Sequence, residues 1–227
     1  MKRINAKKVL FSSIAAAGIL LSAAAPVQAA TPSTSGVKGV RNVKKNKDYT
    51  IKDVPDLTKQ GYILRIPDKV GRLKNQVISG KENYNRASQS LDAFKAKTVS
   101  PSKVKNIKFR IEKIAEFHTK GFGAPEYFVA SKDKQYYGWH TQPELEYIHL
   151  HDKNFAGIYK PLKKMAESKT GRVSTKKNTQ YFNQAMAAAK KLPNGSEKKF
   201  VISSLNQLKK NGNINNGGKN LLLFGIY

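Results

Sequence analysis

The absence of cysteine is the feature that most limits how this chain can fold. None of its 227 residues is a cysteine, which excludes disulfide bridges, thiolate metal sites and a thiol nucleophile. The fold must therefore be held together by its own apolar core. A chain of about 200 residues buries roughly 70% of the surface of its unfolded form, so one domain of this length can be stable without cross-links.

The first 29 residues have the pattern of a secretory signal peptide. Four basic residues open the segment: Lys2, Arg3, Lys7 and Lys8. The apolar run that follows, residues 9–25, is shorter than the roughly 20 residues that a membrane-spanning helix needs. Small side chains at residues 27 and 29 complete a typical cleavage site. We therefore expect cleavage after Ala29 and a secreted, extracellular protein that stays associated with the cell wall.

The strong positive charge of the chain predicts a polyanionic partner. The chain has 42 Lys and Arg against 15 Asp and Glu, a formal charge of +27, and the four basic residues of the predicted signal peptide leave +23 on residues 30–227. A magnitude of about 2–8 is enough to keep a small domain soluble. A larger charge attracts polyanions with little dependence on their sequence. Outside a cell these are teichoic acids, anionic lipid headgroups and acidic polysaccharides, and we expect no nucleic acid partner.

The pattern of apolar residues predicts an α+β fold, a mainly helical single domain over residues 51–227 with one small antiparallel sheet. Residues 30–50 are rich in lysine and poor in apolar side chains, which predicts a flexible basic tether. Aromatic residues within 124–151 predict a β-hairpin. The C-terminal half is predicted to be helical at 159–167, 174–192 and 196–210, with a buried strand or extended segment at 221–227.

Two further helices are predicted before the hairpin, because apolar residues recur there at helical spacing. The first helix is indicated by Tyr84, Ala87, Leu91 and Phe94. The second begins at Ser100 and Pro101, which together form a helix start signal. Its apolar stripe consists of Val104, Ile107, Ile111 and Ile114.

Basic residues on the other faces of the second predicted helix are candidate ligands for anions. They are Lys103, Lys105, Lys108 and Arg110. The alternative is a solvated helix surface without a partner, and the sequence does not separate the two interpretations.

An aromatic strip in the predicted hairpin is a second candidate ligand site. Residues 127–140 read YFVASKDKQYYGWH, and Tyr136, Tyr137, Gly138 and Trp139 resemble the Tyr/Gly/Trp strand of SH3-like cell-wall-binding modules in Gram-positive surface proteins. The resemblance implies binding of wall glycans, peptides or teichoic acids, with Tyr136, Tyr137 and Trp139 as ligand-binding residues. The alternative is that these side chains form the core of a small sheet, since aromatic residues dominate cores.

Two histidines form a weak candidate metal site. His149 and His151 would share one face of a strand, and Glu144, Glu146 or Asp152 could supply a carboxylate to a hydrolytic zinc ion. A single His-x-His pair has low specificity, and the chain has no His-Glu-x-x-His motif. We therefore expect neither a metal nor another cofactor.

These observations together predict a secreted, non-catalytic, monomeric protein that its charge holds on an anionic envelope. The expected partners are teichoic acid and peptidoglycan. Two alternatives stay open: a small cell-wall hydrolase with a His/Glu site, and a secreted effector that acts on anionic membranes.

Overall fold

The computed structural model describes residues 8–9, 42–45, 48–70, 73–118, 124–216 and 218–226. The strands are β1 (Lys8–Val9), β2 (Asn42–Lys45), β3 (Tyr49–Asp53), β4 (Leu64–Arg65), β5 (Lys69–Val70), β6 (Leu73–Lys74), β7 (Val77–Ser79), β8 (Phe94–Lys95), β9 (Thr98–Val99), β10 (Phe109–Phe117), β11 (Glu126–Ser131), β12 (Tyr136–Thr141) and β13 (Glu146–Tyr147). The α-helices are α1 (Pro55–Thr58), α2 (Tyr84–Ala87), α3 (Ala156–Ala166), α4 (Lys176–Lys190) and α5 (Ser196–Asn211). Short 3-10 helices occupy Lys81–Asn83, Pro101–Val104, Gln142–Glu144, Lys153–Phe155, Ile214–Asn216 and Leu221–Leu223.

A nine-stranded antiparallel sheet dominates the first part of the fold. Seven of its strands follow one another in the order β13-β4-β10-β11-β12-β7-β9, and they curl into a half-barrel. One edge of β10 pairs with two strands: its first residue pairs with β4 and its C-terminal part pairs with β3. Strand β2 pairs in turn with β3. The pairs β1–β8 and β5–β6 form two separate small ribbons. The prediction of a mainly helical domain with one small sheet is therefore wrong.

The second predicted helix is a 3-10 turn followed by a strand, and a β-bulge in that strand explains the helical spacing of its apolar residues. Residues 109–117 form β10, and the pairing of β10 with β11 shifts between Ile111 and Lys113. The extra residue, Glu112, moves the alternation of side chains by one position, so that Ile111 and Ile114 both lie in the core. A bulged strand therefore produced the three-residue spacing that usually indicates a helix.

The first predicted helix is also wrong in its extent. Helical backbone ends with α2 at Ala87, and Phe94 begins strand β8. Both side chains are buried in the same apolar cluster, so their spacing indicated burial without a continuous helix. The start signal at Ser100 is confirmed, because its hydroxyl accepts a hydrogen bond from the Ser102 amide (3.3 Å), but only a 3-10 turn follows.

The hairpin and the C-terminal helices are confirmed. Strands β11 and β12 form the hairpin within 124–151, and α3, α4 and α5 occupy the three predicted helical ranges to within a few residues. Residues 221–224 and 226 are buried, as predicted for the end of the chain, although a 3-10 turn replaces the strand.

Apolar side chains cover both faces of the sheet. On one face Phe128 and Trp139 pack with Phe94. On the opposite face residues of β10 and β11 pack against the buried C-terminal segment, residues 221–224. The helices enclose a further cluster, and Ile63 and Phe200 pack against both this cluster and the sheet core. The sheet and the helices are therefore joined by a continuous core.

The tether and the signal peptide lie largely outside the described residues. Tyr49 and Thr50, the last residues of the predicted tether, are buried in β3, and Asn42–Lys45 form β2. Of the predicted tether, residues 30–50, the structure describes only 42–45 and 48–50. Of the predicted signal peptide it describes only residues 8–9. Within the described ranges, no helix has both the length and the apolar character that crossing a membrane requires.

Candidate functional site

The aromatic strip is packed inside the protein. Tyr137 is 0% and Trp139 is 5% exposed. The Trp139 Nε1 donates to the carbonyl of Ala87 (2.7 Å), and the Tyr137 hydroxyl donates to the carbonyl of Gly80 (2.7 Å). Burial raises the pKa of Tyr137 to about 12, which keeps its hydroxyl a donor. Rings this buried cannot stack on a sugar, so the predicted ligand role of Tyr137 and Trp139 is corrected to a core role.

Tyr136 and the four cationic candidates do not form one binding face. Tyr136 is half-buried and packs against the core on the face opposite to Trp139. Lys103, Lys105 and Lys108 are exposed in and after a 3-10 turn. Arg110 is half-buried in β10, where its Nε (3.1 Å) and Nη2 (3.0 Å) donate to Glu112 Oε1. Only the three lysines are open to solvent as predicted.

The two candidate metal-ligating histidines contact different carboxylates. Both lie in the turn that follows β13 and not on a strand. His149 Nδ1 lies 2.7 Å from Asp152 Oδ2, and His151 Nε2 lies 3.1 Å from Glu146 Oε2. Arg65 also pairs with Glu146, so this buried carboxylate joins β4 to β13 and its turn. In the part of the chain that the structure describes, no three His, Cys, Asp or Glu side chains are grouped to hold a metal ion.

His140 is a buried histidine on β12. It is 4% exposed, its Nε2 has no hydrogen-bond partner within the described residues, and its Nδ1 lies 3.9 Å from Glu144 Oε2. Glu144 is itself bound to Thr141, from whose backbone amide (2.7 Å) and hydroxyl (3.0 Å) it accepts hydrogen bonds. Burial lowers the pKa of His140 below its usual 6.5, and the nearby Glu144 offsets only part of that effect.

The buried His140 should make the protein less stable at acid pH. Because the folded protein disfavours the imidazolium, the unfolded chain binds a proton that the folded chain does not, and stability falls as the pH drops below about 6.5. Replacing His140 by phenylalanine keeps a ring of similar size and removes the titration. Urea unfolding at pH 7.5 and 5.0 should show the variant gaining up to about 2 kcal/mol relative to the wild type at the lower pH. Equal pH dependence of the two proteins would contradict this assignment.

Within residues 48–227, positive charge is concentrated in the helical part. Residues 48–150 contain 18 Lys and Arg and 12 Asp and Glu, whereas residues 151–227 contain 15 Lys and Arg and only three carboxylates, Asp152, Glu167 and Glu197. The basic residues of the second part are Lys153, Lys160, Lys163, Lys164, Lys169, Arg172, Lys176, Lys177, Lys190, Lys191, Lys198, Lys199, Lys209, Lys210 and Lys219. All of them are exposed except Lys198, which is half-buried. We call this set the basic helical surface.

The basic helical surface has few internal counter-charges. Among the described residues, Lys163 alone of this set has a carboxylate within ion-pair distance, that of Glu167 at 3.9 Å. In the sheet, by contrast, four cations are paired with carboxylates: Lys52 with Glu116, Arg65 with Glu146, Arg110 with Glu112, and Lys113 with Asp53. The lysines of this set that have no carboxylate within ion-pair distance are therefore available to an external anion.

The connection between α4 and α5 has a pair of lysines near each of its ends. A short connection, residues 191–195, joins α4 to α5, so that Lys190 and Lys191 lie close to Lys198 and Lys199. A groove of about 530 Å³ runs along the first turns of α5, lined by Lys198 and Lys199. The Lys198 ammonium donates to Asn194 Oδ1 (3.1 Å) at the rim of this groove.

Comparison with known proteins identifies a relative. A protein described as "Uncharacterized protein in hlv 5'region" of Lactobacillus helveticus is 51% identical over 154 residues, which are 66% of this chain and 96% of the relative. No protein family model matches the chain, and no solved structure matches it.

Proposed function

The chain belongs to the family of this Lactobacillus helveticus protein, and we propose that it is a secreted, non-catalytic protein that its charge holds on an anionic cell wall. The observation that carries the proposal is the basic helical surface, with 15 basic residues and three carboxylates in 77 consecutive residues, 151–227. A field of this sign and density attracts polyanions without recognising a particular sequence.

The chemistry of the basic side chains favours phosphate-bearing polymers such as teichoic acid. Fourteen of the 15 basic residues are lysines, and Arg172 is the exception. A lysine ammonium is a compact point charge on a flexible stem, whereas arginine forms rigid paired hydrogen bonds to one carboxylate or phosphate. A surface made of lysine therefore suits a flexible chain of phosphates that slides and rebinds. The resemblance of residues 127–140 to SH3-like modules stays a prediction, and the proposed surface lies in other residues.

Co-sedimentation with isolated Gram-positive walls tests the proposal. The purified protein should pellet with walls at about 50 mM salt and be released by about 500 mM, since charge-driven binding to a polyanion weakens steeply with salt. Walls from which teichoic acid has been extracted should bind much less protein. Binding that is as strong to extracted walls as to intact walls, and that does not weaken as the salt concentration rises, would contradict a charge-held attachment. The absence of any binding to intact walls would contradict it too.

Two matched variants distinguish the basic helical surface from net charge alone. In the first, Lys190, Lys191, Lys198 and Lys199 are replaced by glutamine. In the second, four exposed lysines outside the basic helical surface are replaced in the same way: Lys97, Lys103, Lys105 and Lys108. Both lose four charges, so binding governed only by net charge would weaken equally. We expect at least a threefold larger loss of affinity, about 0.6 kcal/mol, and a shallower salt dependence in the first variant. The reverse order would place the interface on the residues 97–108.

A further inference from the structure

A polar cleft lies between α1, α2 and the bulge of β10. Its volume is about 700 Å³, within the range of about 300–1,000 Å³ that small-molecule sites occupy. We propose that this cleft binds a neutral oligosaccharide and is a second site, separate from the basic helical surface.

The floor of the cleft is held in place by hydrogen bonds to the bulge residue. The Glu112 side chain is 12% exposed. One of its oxygens accepts hydrogen bonds from Arg110, and the other accepts a hydrogen bond from the Tyr84 hydroxyl. Burial and the contact with Glu112 raise the pKa of Tyr84, so the hydroxyl remains a donor. A bulge re-aims a side chain and is frequent beside binding sites; here it places Glu112 against α2.

The charges that line the cleft largely cancel. Arg110 pairs with Glu112, and the Lys113 ammonium donates to Asp53 Oδ1 (2.7 Å). A charged ligand would have to compete with one of these ion pairs. Lys59, exposed at the rim, is the lining cation without an ion pair among the described residues. This balance disfavours a polyphosphate and favours an uncharged ligand.

Unused hydrogen-bonding groups define the chemistry of that ligand. The side-chain amides of Asn85 and Gln89 are exposed and make no hydrogen bond within the described residues. Each amide can both donate and accept, and Asp53 keeps one oxygen that accepts. Adjacent sugar hydroxyls also donate and accept, so they can satisfy several such groups at once. Val54 and Pro55 add a small apolar patch for the carbon face of a sugar ring.

Titration with neutral trisaccharides tests the proposal. Trimers of N-acetylglucosamine, glucose and mannose are added to the purified protein, and heat or amide chemical shifts are followed. We expect at least one trimer to bind with a Kd below about 1 mM, with less than a twofold change between about 50 and 500 mM salt, because no net charge is neutralised. No binding by any trimer up to about 10 mM, a free energy weaker than about 3 kcal/mol, would overturn the proposal.

Paired amide variants locate the site. Replacing Asn85 and Gln89 together by alanine should weaken binding of the trimer at least tenfold, about 1.4 kcal/mol. Replacing the exposed Asn183 and Asn206 of α4 and α5 in the same way should leave it unchanged. Equal affinity of both double variants would place the sugar elsewhere and overturn the assignment. If no trisaccharide binds, salt-sensitive wall binding can still be observed, and if the protein does not bind walls, trisaccharide binding can still be observed. The two proposals are therefore tested independently.

Discussion

Replacing Trp139 by alanine should lower the free energy of unfolding by about 3–5 kcal/mol, the usual loss when a buried large aromatic side chain is truncated. The side chain is 5% exposed, and its ring centroid lies 5.2 Å from that of Phe128. Truncation leaves a cavity between the sheet and α2, and it removes the donor for the carbonyl of Ala87. Small domains are stable by only about 5–15 kcal/mol, so the variant should be partly unfolded at modest urea concentration. Urea titration followed by circular dichroism measures the loss.

Replacing Trp139 by phenylalanine is the control, because it keeps one aromatic ring in the core while it removes the hydrogen bond to Ala87 and the second ring of the indole. Leaving a buried carbonyl unpaired costs about 1–3 kcal/mol, so this variant should be more stable than the alanine variant. Both should keep salt-sensitive wall binding under conditions in which they are folded. A stable alanine variant that has lost wall binding would restore the ligand-platform interpretation of the strip.

Burial of the aromatic strip could not be predicted from its own residues. The pattern around Tyr137 and Trp139 correctly predicted a hairpin, and hairpins commonly leave one face open to solvent. Here both faces are covered, one by α2 and Phe94 and the other by the C-terminal segment 221–224. Those covering segments are distant in sequence, and local patterning carries no information about them.

The predicted fold class was wrong in part because strand β10 was interpreted as a helix. Ile111 and Ile114 are spaced as in a helix because Glu112 is an extra residue in the ladder between β10 and β11. The residue types were a better signal than the spacing, since isoleucine is β-branched and favours strands. The C-terminal helices were predictable because their periodicity continues over several turns without such an interruption.

The concentration of charge could have been found from sequence alone. Residues 48–150 have 18 Lys and Arg against 12 Asp and Glu, a net +6, whereas residues 151–227 have 15 against three, a net +12, so a count by segment separates a moderately basic part from a strongly basic one. A total of +27 conceals this division. The polar cleft, by contrast, combines residues from 53 to 113 through sheet pairing and a bulge, and neither is readable from a linear pattern.

Replacing Gly225 by alanine should also destabilise the protein severely and lower the free energy of unfolding by about 2–5 kcal/mol. Gly225 has φ +84°, a left-handed conformation that costs an L-residue roughly 1–2 kcal/mol. An added Cβ would also meet the Cα of Glu146 at 3.2 Å and a Leu150 methyl at 3.0 Å, and it would overlap the Glu146 Cβ. Overpacking of this kind costs roughly 1–3 kcal/mol. Urea unfolding of the variant measures the sum.

Replacing Gly212 by alanine separates the two contributions. Gly212 has φ +71° at the end of α5, and an added Cβ would meet no atom within 4 Å. This control should therefore show only the conformational cost, roughly 1–2 kcal/mol, and the excess loss at Gly225 measures the contact with Glu146. The close approach of Gly225 to Glu146 lies next to the hydrogen bond that the Phe224 carbonyl accepts from the Tyr147 amide (3.1 Å). These two contacts together hold the C-terminal segment on β13. Equal losses in the two variants would mean that the segment can shift without cost and does not hold the edge of the sheet in place.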